Sequence, residues 1–424
     1  MGLIDNAVNK DEKTLSQLEE SYGEINKKLT DIDEKLEKIK TEYYESFNNI
    51  ENTKKEIIAE EKVKSYMAKG NKYFYLSGWV PQSSIKKVEN LENTFNNSMV
   101  EINDSDKVSE SPPTKLKNNK LIKPFENIVN MYGTPNYNEI DPTSFLALTY
   151  ILLYGMMFGD LGQGIIFILA SFLLKKKWKM GSDLLLRTGV SASIFGLFYG
   201  SFFGLEDVIP TLVMKPFDNI MPVLAISIMF GIIIMLISYC LGIYNKLVKQ
   251  KDLEEGIFGK EGLAGMLMMI SFILLIAKIV ILNKMPFILP VGMLIVSILM
   301  EIFKQPLSRT IENISPKYDT SASDYYLENS FSIIEAILSV FSNLVSFTRV
   351  GAFAINHVGL FMAFEVMASL VGGIGSFIIL LLGNIIIIGL EGMVVFIQCL
   401  RLEYYELFSK YYKGDGEKFS PLKK

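Results

Sequence analysis

Apolar and polar positions divide this chain into two regimes. The first 124 residues are rich in Lys, Glu, Asp and Asn, whereas long apolar runs fill residues 143–400. Because about 20 helical residues span the ~30 Å hydrocarbon core of a bilayer, these runs predict membrane helices. We expect about eight of them. Two come from 143–175, divided at the Gly-rich sequence FGDLGQG, and the others lie near 187–204, 219–243, 262–282, 286–303, 327–368 and 374–412.

The last two predicted helices are too long for a simple crossing. Each covers roughly 40 residues, which at about 1.5 Å per residue is about 60 Å, twice the bilayer core. We therefore expect them to be strongly tilted, to project from the membrane, or both. The predicted fold class is a mainly α, polytopic membrane protein with a partial N-terminal coiled-coil and α+β region.

A heptad-like seam runs through the N-terminal region. Residues 10–68 contain no proline and only one glycine. Their apolar positions alternate spacings of three and four, at Leu15, Leu18, Tyr22, Ile25, Leu29, Ile32, Leu36 and Ile39. This pattern indicates a coiled-coil helix that needs a partner, with a solvated charged helix as the alternative.

The sequence predicts three regions. A cytoplasmic coiled-coil helix covers residues 1–70. A partial α/β lobe and a polar linker cover 71–124, and the run KYFYLSGWVP predicts one strand of that lobe. Residues 125–424 form the membrane domain and end in a short cytoplasmic tail.

Basic residues give the predicted orientation. They cluster after the second, fourth and sixth predicted helices and are sparse in the alternate loops. The positive-inside rule then places these clusters and both termini in the cytoplasm. The N-terminal sequence MGLIDNAVNKDEK is polar and has no signal-peptide pattern.

Composition excludes several functions. The formal net charge of −4 gives no sign of nucleic-acid binding. The single histidine, His357, and the two distant cysteines, Cys240 and Cys399, suggest neither a metal site nor a disulfide framework. No Walker-type Gly-rich loop occurs, so we expect no ATP hydrolysis by this chain, and we expect no cofactor.

Polar side chains recur every seventh residue on the last two predicted helices. Seven helical steps return to within about 20° of the start, so each set shares one face. The first set is Glu335, Ser342, Arg349 and Asn356; the second is Asn384, Glu391 and Gln398, with Arg401 three residues further on.

Most of these residues have a simple structural explanation. Ser342, Asn384 and Gln398 can join helices by hydrogen bonds, and Glu391 and Arg401 can extend their charges toward an interface.

Arg349 is different. It lies near the middle of its predicted helix, cannot deprotonate, and costs several kcal/mol at mid-membrane unless it is paired or hydrated. No acidic residue lies within ten positions of it. We expect its partner to come from outside this stretch, for example from another subunit.

Three motifs in order resemble one family. MYGTPNYNEIDPTSFLALTYILLYGMMFGDLGQG resembles the sequence that opens the membrane domain of subunit a, also called subunit I, of V-type and archaeal-type ATPases. SFTRVGAFAINHVGLFMAF is similar to its arginine-bearing helix, and LEGMVVFIQCLRLEYYELFSKYYKGDGEKFSPL to its last helix and tail. YFYLSGWVP matches a short cytoplasmic motif. The resemblance covers roughly residues 65–424 and implies a shortened N-terminal domain, whether natural, from a split gene or from a misassigned start.

The resemblance implies the stator of a rotary ion pump. In that family two aqueous half-channels meet near an essential arginine that faces a ring of proteolipids, each with a buried carboxylate. Arg349 stands at the motif position of this arginine. The resemblance places Glu335 and His357 in the non-cytoplasmic half-channel, and Glu391 and Arg401 in the cytoplasmic one.

The resemblance also implies other properties. Asp160, in the opening motif, would serve folding or assembly. The partners would be the proteolipid ring, the peripheral stalks, the central-stalk or ring-cap subunit, the ATP-hydrolysing head through the complex, and the lipid bilayer. The location would be the cell membrane of a bacterium or archaeon. The transported ion, proton or sodium, and the direction of operation stay open.

Two other functions fit the residues alone. In a secondary transporter, Arg349 would bind an anionic substrate at mid-membrane, and the chain would contain inverted repeats of broken helices. In a non-conducting scaffold subunit, the polar stripes would only join helices.

Overall fold

Helices dominate the fold, so the mainly α prediction is confirmed. A computed structural model of the chain describes residues 2–94, 98–105, 108, 110–205, 208–280, 286–318 and 321–421, without the side chains at 2–19, 21, 45, 47, 93 and 280. The chain divides into two compact units, Met1–Glu101 with Ser420–Lys424, and Ile102–Phe419.

The first unit is built on one helix of 64 residues, α1 (Gly2–Ser65). Ion pairs four residues apart, such as Lys35 with Asp31 at 2.6 Å, support it. An antiparallel hairpin of β1 (Met67–Lys69) and β2 (Phe74–Leu76) follows, and then α2 (Ile85–Thr94). The strand predicted in KYFYLSGWVP corresponds to β2.

The heptad-like seam of α1 is open within the described part of this unit. Six of its side chains are 52–68% exposed, namely Tyr22, Ile25, Leu29, Ile32, Leu36 and Ile39. The side chains of the other two, Leu15 and Leu18, lie outside the described residues. The coiled-coil partner of this helix stays a prediction.

The second unit is a bundle of helices. In chain order these are α3 (Glu126–Tyr132), α4 (Thr143–Phe158), α5 (Leu161–Leu174), α6 (Lys179–Tyr199), α7 (Ile220–Tyr244), α8 (Leu263–Val280), α9 (Ile288–Ile302), α10 (Lys304–Glu312), α11 (Ala322–Ser346), α12 (Thr348–Val371), α13 (Gly373–Ile386), α14 (Gly392–Arg401) and α15 (Ser409–Tyr411). In the described part of the chain, π-helical turns adjoin them at Asn245–Gln250, Glu254–Phe258, Ile387–Glu391 and Leu402–Phe408.

Within the described ranges, four helical runs are long and apolar enough to cross a membrane. They are Ile220–Gln250, Glu254–Ile279, Ala322–Val371 and Gly373–Tyr411, and a fifth is counted if α9 and α10, bent by 69°, form one span. The apolar helices α4 and α5 are shorter, with 16 and 14 residues. The structure thus supports an integral membrane protein, while the expected eight spans stay a prediction.

The two longest runs are irregular at particular places. The run Ala322–Val371 has 50 residues and is interrupted at Phe347, two positions before Arg349. Phe347 is fully buried against Gly231, where a Cβ would collide with the ring. The last run contains two π-helical turns, each of which inserts one extra residue and re-aims the side chains beyond it.

The opening motif and the C-terminal tail pack against each other. The Tyr412 hydroxyl donates to the Gly133 carbonyl at 2.7 Å, and the Gly416 N–H donates to the Thr134 carbonyl at 2.9 Å. A Cβ at Gly133 would collide with the Gly414 carbonyl oxygen. Two motifs that lie far apart in sequence therefore form one structural element at this end of the bundle.

Candidate functional site

Asp160 joins α4 to α5 and organises the loop after α6. Its fully buried carboxylate caps α5 by accepting the Gln163 N–H at 2.8 Å. It also accepts from the Ser201 hydroxyl at 2.7 Å, the Phe203 N–H at 3.1 Å and the Gly204 N–H at 2.7 Å. One side chain thus satisfies four donors, and this is a geometry suited to folding.

The same carboxylate is one side of a buried acid–imidazole–acid arrangement. His357 Nδ1 lies 2.7 Å from Glu391 Oε2, and His357 Nε2 lies 3.8 Å from Asp160 Oδ2. All three side chains are at most 5% exposed. Both ring nitrogens of His357 thus lie next to an acid, so the ring can hold or pass one proton between the two carboxylates.

An amide pair extends this arrangement. Gln163 Nε2 donates to Asn384 Oδ1 at 2.9 Å, and Asn384 Nδ2 donates to the Leu380 carbonyl at 3.1 Å. The predicted stripe residue Asn384 therefore meets the opening motif. We call Asp160, Gln163, His357, Asn384 and Glu391 the buried polar cluster.

Arg349 lies apart from that cluster, beside the last helix. Its Nη2 is 3.9 Å from Glu406 Oε1, and the two side chains are 18% and 5% exposed. Arg349 Nη1 is buried without a hydrogen-bond partner among the described residues. The cation therefore has a loose contact with an acid of its own chain and one unused donor group.

Glu406 was missed by sequence reasoning because of a π-helical turn. The heptad face of Glu391 and Gln398 would continue at Tyr405 in a regular α-helix. The π-helical turn Leu402–Phe408 inserts one residue, so the face continues at Glu406 instead. A sequence pattern that predicted the π-helical turn would have been needed to place Glu406 on this face.

Glu335 has a different neighbour. Its carboxylate pairs with Lys260 at 3.1 Å, and the two side chains are 69% and 38% exposed. Lys260 belongs to the lysine-rich stretch after the fourth predicted helix, which the orientation rule places in the cytoplasm.

The remaining predicted residues lie at or near the surface. Ser342, Asn356 and Arg401 are exposed. Gln398 is half-buried, and its Oε1 has no hydrogen-bond partner among the described residues. A polar face thus follows the helices on either side of Arg349.

These contacts regroup the predicted half-channel residues. Glu335 and His357 were predicted to share one half-channel, but they are 22 residues apart on one helical run, about 33 Å along its axis. Arg349 lies between them. His357 instead contacts Glu391, which was predicted for the opposite half-channel. Heptad spacing relates residues along one helix and does not contain the depth at which they meet a neighbouring helix.

Comparison with known proteins gives a consistent result. The sequence model of the V-type ATPase 116kDa subunit family matches residues 4–199 and 302–424. Both matched segments contain residues of the buried polar cluster, and the second contains Arg349.

Individual relatives carry related names. The A-type ATP synthase subunit I of Methanocaldococcus jannaschii is 29% identical across 100% of this chain and 64% of its own length. That of Saccharolobus solfataricus is 28% identical across 95% of this chain and 68% of its own length. The V-type ATP synthase subunit I 2 of Treponema pallidum is 32% identical across 31% of this chain and 32% of its own length. The chain thus spans about two thirds of the length of the first two relatives.

Proposed function

Because the chain belongs to the V-type ATPase 116kDa subunit family, we propose that it is the stator subunit of a rotary ATPase membrane sector. In this role it stands beside a proteolipid ring and translocates protons or sodium ions past Arg349. Its other partners are the peripheral stalks, the central-stalk or ring-cap subunit and, through the complex, the ATP-hydrolysing head. The chain itself is not catalytic.

Arg349 carries the proposal. The Arg349 side chain is 18% exposed next to a polar face and has only a 3.9 Å contact with an acid of its own chain, so it is suited to an acid that comes from outside the chain. A rotor carboxylate that faces lipid must be neutral, because burying it ionised is prohibitively costly. When rotation brings it to Arg349, the nearby cation favours its ionised form, and the bound ion is released.

Arg349 also separates the two ion paths. A guanidinium does not deprotonate in proteins, so it cannot relay a proton from one half-channel to the other. Its fixed positive charge also repels any cation that would pass directly between them. Ions must then travel on the rotor.

We assign the half-channels by the regrouped contacts. With the lysine-rich loops in the cytoplasm, Glu335 beside Lys260 lines the cytoplasmic path. The buried polar cluster around His357 and Glu391 lies on the other side of Arg349 along the helix and lines the non-cytoplasmic path. The charge of Arg401 acts on Arg349, and the two arginines together attract the rotor carboxylate to one position.

Sided cysteine labelling tests this assignment. The two native thiols, Cys240 and Cys399, are first replaced by Ser, and a single cysteine is then introduced as Glu335→Cys or Asn356→Cys. We expect a membrane-impermeant thiol reagent to reach position 335 only from the cytoplasmic side and position 356 only from the other. Each half-channel connects its residues to water on one side of the membrane, and a cysteine forms the reactive thiolate only where water is present.

A matched control separates water access from simple exposure. Leu338 lies on the same helix and is 63% exposed, but it belongs to the apolar surface. Leu338→Cys should react slowly from both sides. Labelling of positions 335 and 356 from the same side would contradict the two-path proposal.

A further inference from the structure

Glu406 is a buried acid to which the translocation scheme gives no role. It lies on the π-helical turn Leu402–Phe408 and is 4% exposed. Its Oε1 is the atom 3.9 Å from Arg349 Nη2, and its Oε2 is buried without a hydrogen-bond partner among the described residues. An acid in this position either serves the arginine or imposes a desolvation cost on the fold.

The contact between Glu406 and Arg349 is close but incomplete. At 3.9 Å the two groups attract each other as charges but lie beyond hydrogen-bond distance. A fully engaged pair would be bidentate, with two short N–H···O bonds. Among the described residues, Arg349 Nη1 and Glu406 Oε2 have no hydrogen-bond partner, so each side chain keeps an unused polar atom. This contact positions the Arg349 guanidinium but leaves it able to bind a second carboxylate.

The charge of Arg401 prevents Glu406 from neutralising this site. Arg401, at the end of α14, is near enough for its charge to act on both Arg349 and Glu406. Two arginines and one glutamate leave one net positive charge at this place. An incoming carboxylate would therefore still find an attractive site, although a weaker one than two unopposed arginines would form.

We propose that Glu406 is the resting counter-ion of Arg349. It is a positioning residue that holds the guanidinium in place when no rotor carboxylate is bound, and it weakens the binding of each rotor carboxylate to Arg349. This inference rests on the proposed stator function. Glu406 competes with the rotor carboxylate for the same guanidinium, so an ionised rotor carboxylate can leave as the ring turns. Without Glu406, Arg349 and Arg401 would together retain that carboxylate and slow every step.

The test compares two isosteric substitutions one helical turn apart. Glu406→Gln removes only the charge. Glu403→Gln is the matched control, because Glu403 is also a buried acid of the same π-helical turn, and both of its oxygens lack hydrogen-bond partners among the described residues. Each variant is produced in the full chain within its complex. Assembly, ATP-driven ion uptake by inverted vesicles, and passive ion leak through vesicles stripped of the head are measured.

We expect Glu406→Gln to assemble normally and to keep the passive leak at the wild-type level. Its ATP-driven uptake should fall about tenfold, because a rotor carboxylate bound about 1.4 kcal/mol more tightly leaves about ten times more slowly. Glu406→Asp, which restores the charge on a shorter side chain, should recover part of that loss. Glu403→Gln should leave all three measurements unchanged.

Three results would overturn the inference. The first is unchanged uptake by Glu406→Gln. The second is an equal loss with Glu406→Asp, and the third is a raised passive leak; either of these would indicate a purely structural role. Failure of the stator function itself would show differently, as normal uptake by an Arg349→Gln variant.

Discussion

Arg349→Gln should abolish ATP-driven ion uptake while the complex still assembles. Glutamine preserves much of the side-chain volume but has no charge, so it no longer stabilises an ionised rotor carboxylate. A charge pair at about 4 Å is worth about 4 kcal/mol at an effective dielectric constant of 20, which corresponds to about a thousandfold in rate. The passive leak should rise, because the fixed cation between the two paths is gone.

The measurement is ion uptake by inverted vesicles, with complex abundance as the reference. Arg309→Gln is the matched control, since Arg309 lies on α10 and donates to the Pro316 carbonyl in an exposed position. We expect uptake by that variant to be close to wild type. Normal uptake by Arg349→Gln would favour a scaffold subunit and contradict the proposed function.

Asp160→Ala should prevent accumulation of the folded protein. The substitution leaves the Ser201 hydroxyl and the N–H groups of Gln163, Phe203 and Gly204 without their acceptor. Each buried unsatisfied donor costs about 1–3 kcal/mol, and several together approach the 5–15 kcal/mol stability of a typical domain. His357 also loses the acid beside its Nε2.

Abundance in the membrane and the Tm of the detergent-purified protein report this effect. Asp252→Ala is the control, because Asp252 accepts a single backbone N–H, that of Glu255 at 3.0 Å. It should lower Tm only slightly. An Asp160→Ala variant that assembles normally but does not transport ions would move Asp160 from folding to ion translocation.

Sequence alone predicted the parts of this structure that depend on local pattern. Apolar runs predicted the helices around Arg349, and the absence of proline predicted α1. Heptad spacing also predicts that Glu391 and Gln398 share a face, and the regular helix α14 lies between them, whereas a π-helical turn lies between Asn384 and Glu391. Apolar runs do not fix the count of spans, because α4 and α5 are shorter than a bilayer crossing requires.

The contacts between distant residues could not be predicted in this way. The pairing of His357 with Glu391 depends on how two helices cross, and side-chain spacing on each helix does not contain that information. Glu406 was hidden by a π-helical turn, and Lys260 by its place in a connecting segment. Each is a tertiary effect that overrides or supplements a local pattern.

The shortest N···O distance between Arg349 and a proteolipid carboxylate, measured in a structure of the assembled complex, tests the central claim most directly. We predict a separation within about 4 Å, the range of an ion pair, in at least one rotor position. A guanidinium that stays enclosed by acids of its own chain, more than about 10 Å from every ring carboxylate in all rotor positions, would contradict the account.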